Sequence, residues 1–137
     1  MIWPGIKQDV ELKKVRLNDT VDDLFIWAAN DGEDEYLGVL YDCVWTSQLM
    51  DEHTGLMLTD VTEIGWDELK DTTEPYLLKF MEEQHSDNRF ADEMKHMGYR
   101  LFVHHAANGE KYIVMAAECR YGNPSRYHPD NAREGVI

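Results

Sequence analysis

The chain has 137 residues, 43% hydrophobic and 29% charged, which is the length and composition of one folded domain and excludes a disordered chain. Its 27 acidic residues outnumber 13 basic ones, so the formal net charge is −14. This sign of charge argues against direct binding to DNA, RNA or an anionic membrane, since those surfaces are bound through Lys and Arg.

The first predicted element is a β-hairpin. Its strands cover 24–29 and 36–43, joined by a turn rich in Asn, Asp and Gly. A helix over 21–30 is the competing interpretation, because residues 20–23 resemble a capping box and Gly32 would end the helix. The β-branched and aromatic content of the segment favours the hairpin.

Alternating apolar and polar residues over 44–50 and 56–61 predict a further β connection around 51–55. From Thr73 onward the apolar period becomes helical. Glu74 and Pro75 suit a first helical turn, and a second helix follows a break at residues 86–88. The spacing predicts helices over about 73–84 and 87–97.

The last predicted element is a hairpin whose turn is Asn108-Gly109, a strong signal for a tight turn. Its strands align with those of the first hairpin: residues 24–26 fall on 101–103, and Asp42-Cys43 falls on Glu118-Cys119. This match indicates either an internal repeat or two amphipathic hairpins of similar composition.

Taken in order, the elements predict an α+β fold: a mostly antiparallel sheet of four to six strands, including two β-hairpins, with the helix pair packed on one face. The other face of the sheet is then polar or covered by a partner. We expect a single domain over 1–119. Gly and Pro punctuate the residues that follow, so we expect 120–137 to be an exposed C-terminal arm.

No apolar run approaches the length of a membrane span, and Met1–Gly5 lacks the features of a secretory signal, so we expect a cytoplasmic protein. The two cysteines, Cys43 and Cys119, are too few for a disulfide scaffold and too far apart for a zinc knuckle. We expect both thiols to be reduced and buried.

The negative charge is concentrated in the first half of the chain. Residues 18–71 contain fifteen acidic residues against Lys70 alone. One interpretation is a well-solvated charged surface that binds no partner. The other is recognition of a basic protein surface, since such a density of like charge repels itself in the folded state.

Candidate chemistry is sparse. Glu82 with His85 and Glu93 with His96 have the spacing of di-iron ligands, but two short helices separated by a break lack the four long helices of such sites. His104 and His105 would point to opposite faces of one strand. No phosphate loop, nucleophile elbow or zinc motif occurs. We therefore expect no catalytic residue, metal or cofactor.

An acidic rim with aromatic residues at its centre is typical of a surface that binds a basic protein. Ten residues are predicted to contact such a partner: Asp31, Glu33, Asp34, Glu35, Tyr36, Tyr41, Asp42, Trp45, Asp51 and Glu52. The alternative is a small enzyme or anionic-ligand-binding domain near His104 and His105. Its ligand would be held by the basic and aromatic residues Arg100, Lys111, Arg120, Tyr121, Arg126, Tyr127 and Arg133.

In charge, size and lack of a catalytic motif the chain is similar to small phage or mobile-element inhibitors that occupy nucleic-acid-binding grooves with carboxylates. The resemblance rests on these general properties and involves no shared motif. It implies an acidic protein-binding module whose partner is a basic, nucleic-acid-binding host-defence protein.

Overall fold

The computed structural model describes residues 10–18, 22–30, 36–84 and 88–122. Six strands and two helices form the described part of the chain, with short 3₁₀ turns at Asp51–His53 and Trp66–Leu69. In chain order they are β1 (Val10–Asn18), β2 (Asp23–Asn30), β3 (Tyr36–Ser47), β4 (Met57–Ile64), α1 (Pro75–Glu83), α2 (Asn88–His96), β5 (Arg100–Ala106) and β6 (Lys111–Gly122).

All strand pairs are antiparallel, and the sheet closes into a barrel in the order β1-β2-β3-β6-β5-β4. The predicted α+β class with an antiparallel sheet is confirmed, with the strand number at the upper end of the expected range. Closure was not predicted: we expected the face away from the helices to be polar or covered by a partner, whereas pairing of β1 with β4 joins the two ends of the sheet. The inner face is therefore covered by the sheet itself.

Side chains that alternate along the strands fill the barrel, as the two-residue period of a β-strand requires. This inner core contains Val10, Leu12, Val15, Leu24, Ile26, Ala28, Val39, Tyr41, Leu49, Leu58, Val61, Phe102, Ala106, Val114 and Ala116. On the opposite face of β2, the rings of Phe25 and Trp27 stack at 4.3 Å and are also buried.

A second cluster lies outside the barrel. Apolar residues of α1, α2 and the second 3₁₀ turn pack with residues of β5 and β6 that alternate with those of the inner core. This outer core contains Trp66, Leu69, Leu77, Phe80, Ala91, Met94, Leu101, Val103, Ile113 and Met115. The two helices lie within the predicted ranges 73–84 and 87–97.

Both predicted hairpin pairings are present, as β2–β3 and β5–β6, and the turn residue Gly109 has a φ of 90° that a β-carbon would strain. The helix alternative over 21–30 is wrong. The predicted β connection around 51–55 does join two strands, β3 and β4, but they do not pair with each other: β3 pairs with β6 and β4 pairs with β5.

Three further expectations need correction. β1 was not predicted, since a bulge between Leu12 and Lys14 interrupts its alternation. β6 continues to Gly122, past the expected domain boundary at residue 119, and 123–137 lie outside the described residues. Both cysteines are free, but Cys119 is only partly buried, and Cys43 is exposed, because its φ of 52° disrupts the alternation of β3.

The strand order reads the same when β1, β2 and β3 are exchanged for β4, β5 and β6, as an internal repeat requires. The residue match between the hairpins falls on strands that this exchange relates, β2 with β5 and β3 with β6, but the aligned side chains face different ways. Leu24 faces the inner core, whereas its aligned residue Leu101 faces the outer core. The matched sequences therefore do not occupy equivalent positions, which favours shared composition.

Candidate functional site

The structure describes the side chains of five of the ten predicted partner residues, and these are divided between β3 and the 3₁₀ turn that follows it. Asp31, Glu33, Asp34 and Glu35 lie outside the described residues, as does the side chain of Tyr36. Tyr41 is fully buried in the inner core, so we remove it from the set of surface anchors. Asp42 and Trp45 lie in β3, while Asp51 and Glu52 lie in the 3₁₀ turn that follows it.

Asp51 and Asp42 are engaged in the fold. The Asp51 carboxylate accepts a hydrogen bond from the Val15 amide at 3.2 Å and so ties the 3₁₀ turn to β1. Asp42 accepts two bonds from the Arg120 guanidinium, at 2.8 and 2.9 Å. Arg120 thereby offsets the repulsion between Asp42 and Glu118, which lie directly opposite each other on β3 and β6.

Trp45 is at the surface, as predicted for an anchor. Its side chain is 48% exposed, and its indole meets the Tyr99 ring edge-on at a centroid distance of 5.6 Å. Met97, two residues before Tyr99, is 60% exposed. We call Trp45 and Tyr99 the aromatic patch. An exposed Trp that packs against a second aromatic ring is typical of contact surfaces.

A cleft of about 790 Å³ begins at Thr46, the residue after Trp45. It lies between the end of β3, the first 3₁₀ turn, helix α1 and the β5–β6 turn. Its walls are formed by Thr46, Ser47, Gln48, Met50, Glu52, His53, Glu74, Pro75, Tyr76, Lys79, Glu83, Gln84, Gly109, Glu110, Lys111 and Tyr112. Tyr76 packs against the outer core and Tyr112 against the inner core, so the cleft marks the seam between them.

Gln48 holds three elements of this cleft together. Its backbone amide donates to the Ile113 carbonyl and its side-chain oxygen accepts from the Ile113 amide, each at 2.8 Å. Its side-chain amide donates to Oε1 of Glu83 on α1 at 2.6 Å. One glutamine therefore joins the end of β3 to β6 and positions the Glu83 carboxylate at the cleft wall.

Two rings form the wall beside the 3₁₀ turn. His53 and Tyr112 lie 4.8 Å apart between ring centroids, and Nδ1 of His53 accepts a hydrogen bond from the Met50 amide at 3.0 Å. The Tyr112 hydroxyl donates to Oε2 of Glu110 at 2.5 Å. Burial, followed by this carboxylate, raises the pKa of Tyr112 to about 12, so the phenol stays neutral.

On the other side, the Lys111 ammonium lies over the Tyr76 ring at 4.6 Å from its centroid. Burial and the nearby carboxylates of Glu68 and Glu74 raise the pKa of Tyr76, which is therefore also neutral. Four glutamates and two lysines line the cleft. The lining thus carries a net negative charge.

The histidines of the alternative hypothesis lie elsewhere. His104 is fully buried, and its Nε2 lies 2.5 Å from the Tyr41 hydroxyl. Burial, and then the charge of His105, lowers the pKa of His104 to about 3. His105 bonds through Nε2 to the Thr62 hydroxyl at 2.8 Å, as a cross-strand structural pair does.

Neither histidine lines the cleft. Burial also raises the pKa of the Cys119 thiol to about 11, which keeps it protonated and weakly nucleophilic. The basic residues of the alternative are dispersed: Arg100 pairs with Glu63 at 2.6 Å and Arg120 pairs with Asp42, while Arg126, Tyr127 and Arg133 lie outside the described residues, as does the side chain of Tyr121.

Within the described ranges, no group of three or more His, Cys, Asp and Glu is placed to hold a metal ion. His85 lies outside those ranges, so its spacing with Glu82 stays untested. No helix of the described residues has the length and apolar character needed to cross a membrane. Comparisons with protein-family models, with curated proteins and with solved structures give no match.

Among the predicted partner residues, Glu52 lines the cleft, and Trp45 precedes the cleft residue Thr46 in the chain. Sequence reasoning missed His53, Gln48 and Tyr112. The turn signal Asn108-Gly109 places Glu110 and Tyr112 at the start of a strand, but nothing in the sequence linked this turn to a site. Nothing in the sequence indicated that α1 would stand opposite.

Proposed function

We propose that this protein is an acidic protein-binding module whose partner presents a basic surface. The aromatic patch carries the proposal, because a half-exposed Trp45 packed edge-on against Tyr99 is a preorganised contact rather than a core residue. Aromatic side chains dominate the binding energy of many protein interfaces.

The charge around the patch supports a basic partner. Glu118 is exposed on β6, and Glu52 and Glu74 are exposed along the neighbouring cleft. Carboxylates beside an apolar centre speed the encounter with an oppositely charged surface and reject surfaces of like charge.

The narrower proposal is that the partner is a nucleic-acid-binding protein and that this module inhibits it, as phage or mobile-element inhibitors of host-defence proteins do. Size and net charge support it, since carboxylates on a folded surface can occupy positions opposite Lys and Arg that phosphates would otherwise fill. The alternative of an enzyme or anionic-ligand site near His104 and His105 has less support, because His104 is buried and the cleft is lined by neither.

Capture from nuclease-treated bacterial lysate tests the proposal when wild type is compared with Trp45→Ala. We expect wild type to retain a nucleic-acid-binding protein at low salt, release it at high salt, and compete with DNA or RNA for it. Trp45→Ala should lose about tenfold in affinity for the captured protein. Leu78→Ala, which removes another exposed apolar side chain, is the matched control. Equal retention by Trp45→Ala and wild type contradicts the proposal.

A further inference from the structure

We propose that the cleft next to Trp45 is a subsite that receives an arginine side chain from an extended segment of the partner. This inference rests on the proposed protein-binding function and names the group that the partner inserts. The cleft and the aromatic patch both use the end of β3, because Thr46 lines the cleft and the preceding residue, Trp45, belongs to the patch.

The carboxylates that would accept the guanidinium are already oriented. Glu83 uses Oε1 to accept from Gln48, and Glu110 uses Oε2 to accept from Tyr112. Among the described residues the second oxygen of each carboxylate makes no hydrogen bond. Each is therefore an acceptor held in position at the wall of the cleft, which reduces the entropy lost when a ligand binds.

The ring surfaces suit a planar cation. The Tyr76 ring already has a cation over its face, the Lys111 ammonium, so the rings left for a planar cation are those of His53 and Tyr112. These two rings lie 4.8 Å apart between centroids, are tilted by 55° and both line the cleft. A guanidinium can stack on such rings and donate in its plane to carboxylates, whereas an ammonium cannot do both.

An anionic occupant is disfavoured by charge. The cleft lining contains two lysines, Lys79 and Lys111, against four glutamates: Glu52, Glu74, Glu83 and Glu110. Lys111 is held over Tyr76, and the whole chain carries −14. A phosphate or carboxylate would enter a field of its own sign, so the balance favours a cation.

Titration calorimetry with a capped (Gly-Arg)₄ peptide tests the subsite. Glu83→Gln removes one cleft carboxylate, and Glu82→Gln makes the same charge change at the neighbouring exposed position of α1, which does not line the cleft. We expect Glu83→Gln to weaken peptide binding about fivefold and Glu82→Gln to weaken it less than about twofold. A capped (Gly-Lys)₄ peptide should bind more weakly than the arginine peptide.

Equal losses in the two variants would mean diffuse attraction by the whole acidic surface and would overturn the subsite, as would equal affinity for the lysine peptide. Saturable binding of inorganic phosphate that Lys79→Gln abolishes would also overturn it, in favour of an anion site. These failures are distinct from failure of the proposed function. If Trp45→Ala abolishes partner capture while Glu83→Gln leaves both capture and peptide binding unchanged, the module stands and the arginine subsite does not.

Discussion

Two tyrosine–histidine pairs lie in opposite environments in this protein. Inside the barrel, the Tyr41 hydroxyl meets Nε2 of His104 at 2.5 Å, and both residues are fully buried. At the cleft, Tyr112 packs beside His53 with ring centroids 4.8 Å apart, and its hydroxyl turns to Glu110 instead. The same residue types therefore serve the fold in one place and line an open surface in the other.

What separates the pairs is access to water. Burial is the largest cause of the low pKa of His104, so this imidazole is a neutral part of the core. The cleft pair is accessible to solvent and adjoins carboxylates that still have an oxygen able to accept a hydrogen bond. The comparison predicts that changes at the inner pair alter stability and that changes at the cleft pair alter binding.

The largest effect on stability should come from removing a large side chain from the barrel core beside Tyr41 and His104, which we call the inner pair. Phe102 is fully buried and its ring lies 5.2 Å from that of Tyr41. We expect Phe102→Ala to lower the free energy of unfolding by about 4 kcal/mol, from lost burial and the cavity left behind. Urea denaturation measures it. His53→Ala makes the corresponding change at the cleft and should lower the free energy of unfolding by less than about 1 kcal/mol. Equal losses in the two variants would contradict the distinction between the two regions.

The next prediction concerns how the free energy of unfolding depends on pH. An unfolded histidine binds a proton below its ordinary pKa of 6.5, whereas folded His104 stays neutral down to about pH 3. Its contribution to stability is therefore complete above pH 6.5 and is lost as the pH falls towards 3. Between pH 7.5 and 5 we expect this residue to account for a loss of about 2 kcal/mol.

The matching readout on the folded protein is the NMR signal of the His104 ring. It should not titrate between pH 7.5 and 5. A titration midpoint for His104 within that range would show that water reaches the inner pair and would contradict its description as buried.

Removing single hydroxyls gives the smallest difference. Tyr41→Phe deletes a buried hydrogen bond and should cost about 1 to 2 kcal/mol, whereas Tyr112→Phe deletes an exposed one and should cost less than about 0.5 kcal/mol. Chemical denaturation of both variants at pH 7 provides the measurement. If Tyr112→Phe proves the more destabilising of the two, the cleft is part of the folding core and its role as a binding surface loses support.

Much of the fold was accessible from the sequence because its signals are local. Asn108-Gly109 specifies a turn by backbone chemistry, and the helical spacing of Leu77 and Phe80 produces a face that the outer core buries. Barrel closure was not accessible. It depends on β1 pairing with β4 across forty residues and more, and the bulge after Leu12 conceals β1 itself.

The candidate site was harder to predict from the sequence. It depends on which way each side chain points and on which elements lie next to each other in the fold. Tyr41 and Trp45 looked equivalent as aromatic anchors, yet one points into the barrel and the other out, and the left-handed Cys43 between them breaks the alternation. Glu52 was predicted as a partner contact on charge alone. Its neighbours in the cleft come from α1 and β6, which no local pattern brings to it.

The most direct test of this account is a map of backbone amide shifts as the ¹⁵N-labelled protein is titrated with the capped (Gly-Arg)₄ peptide. The account predicts that the largest changes fall on Gln48, Glu52, Tyr76, Glu110 and Tyr112, with small changes at the acidic positions Asp22, Asp67 and Asp71 away from the cleft. Changes spread evenly over all acidic positions, or centred on Asp67 and Asp71, would contradict it.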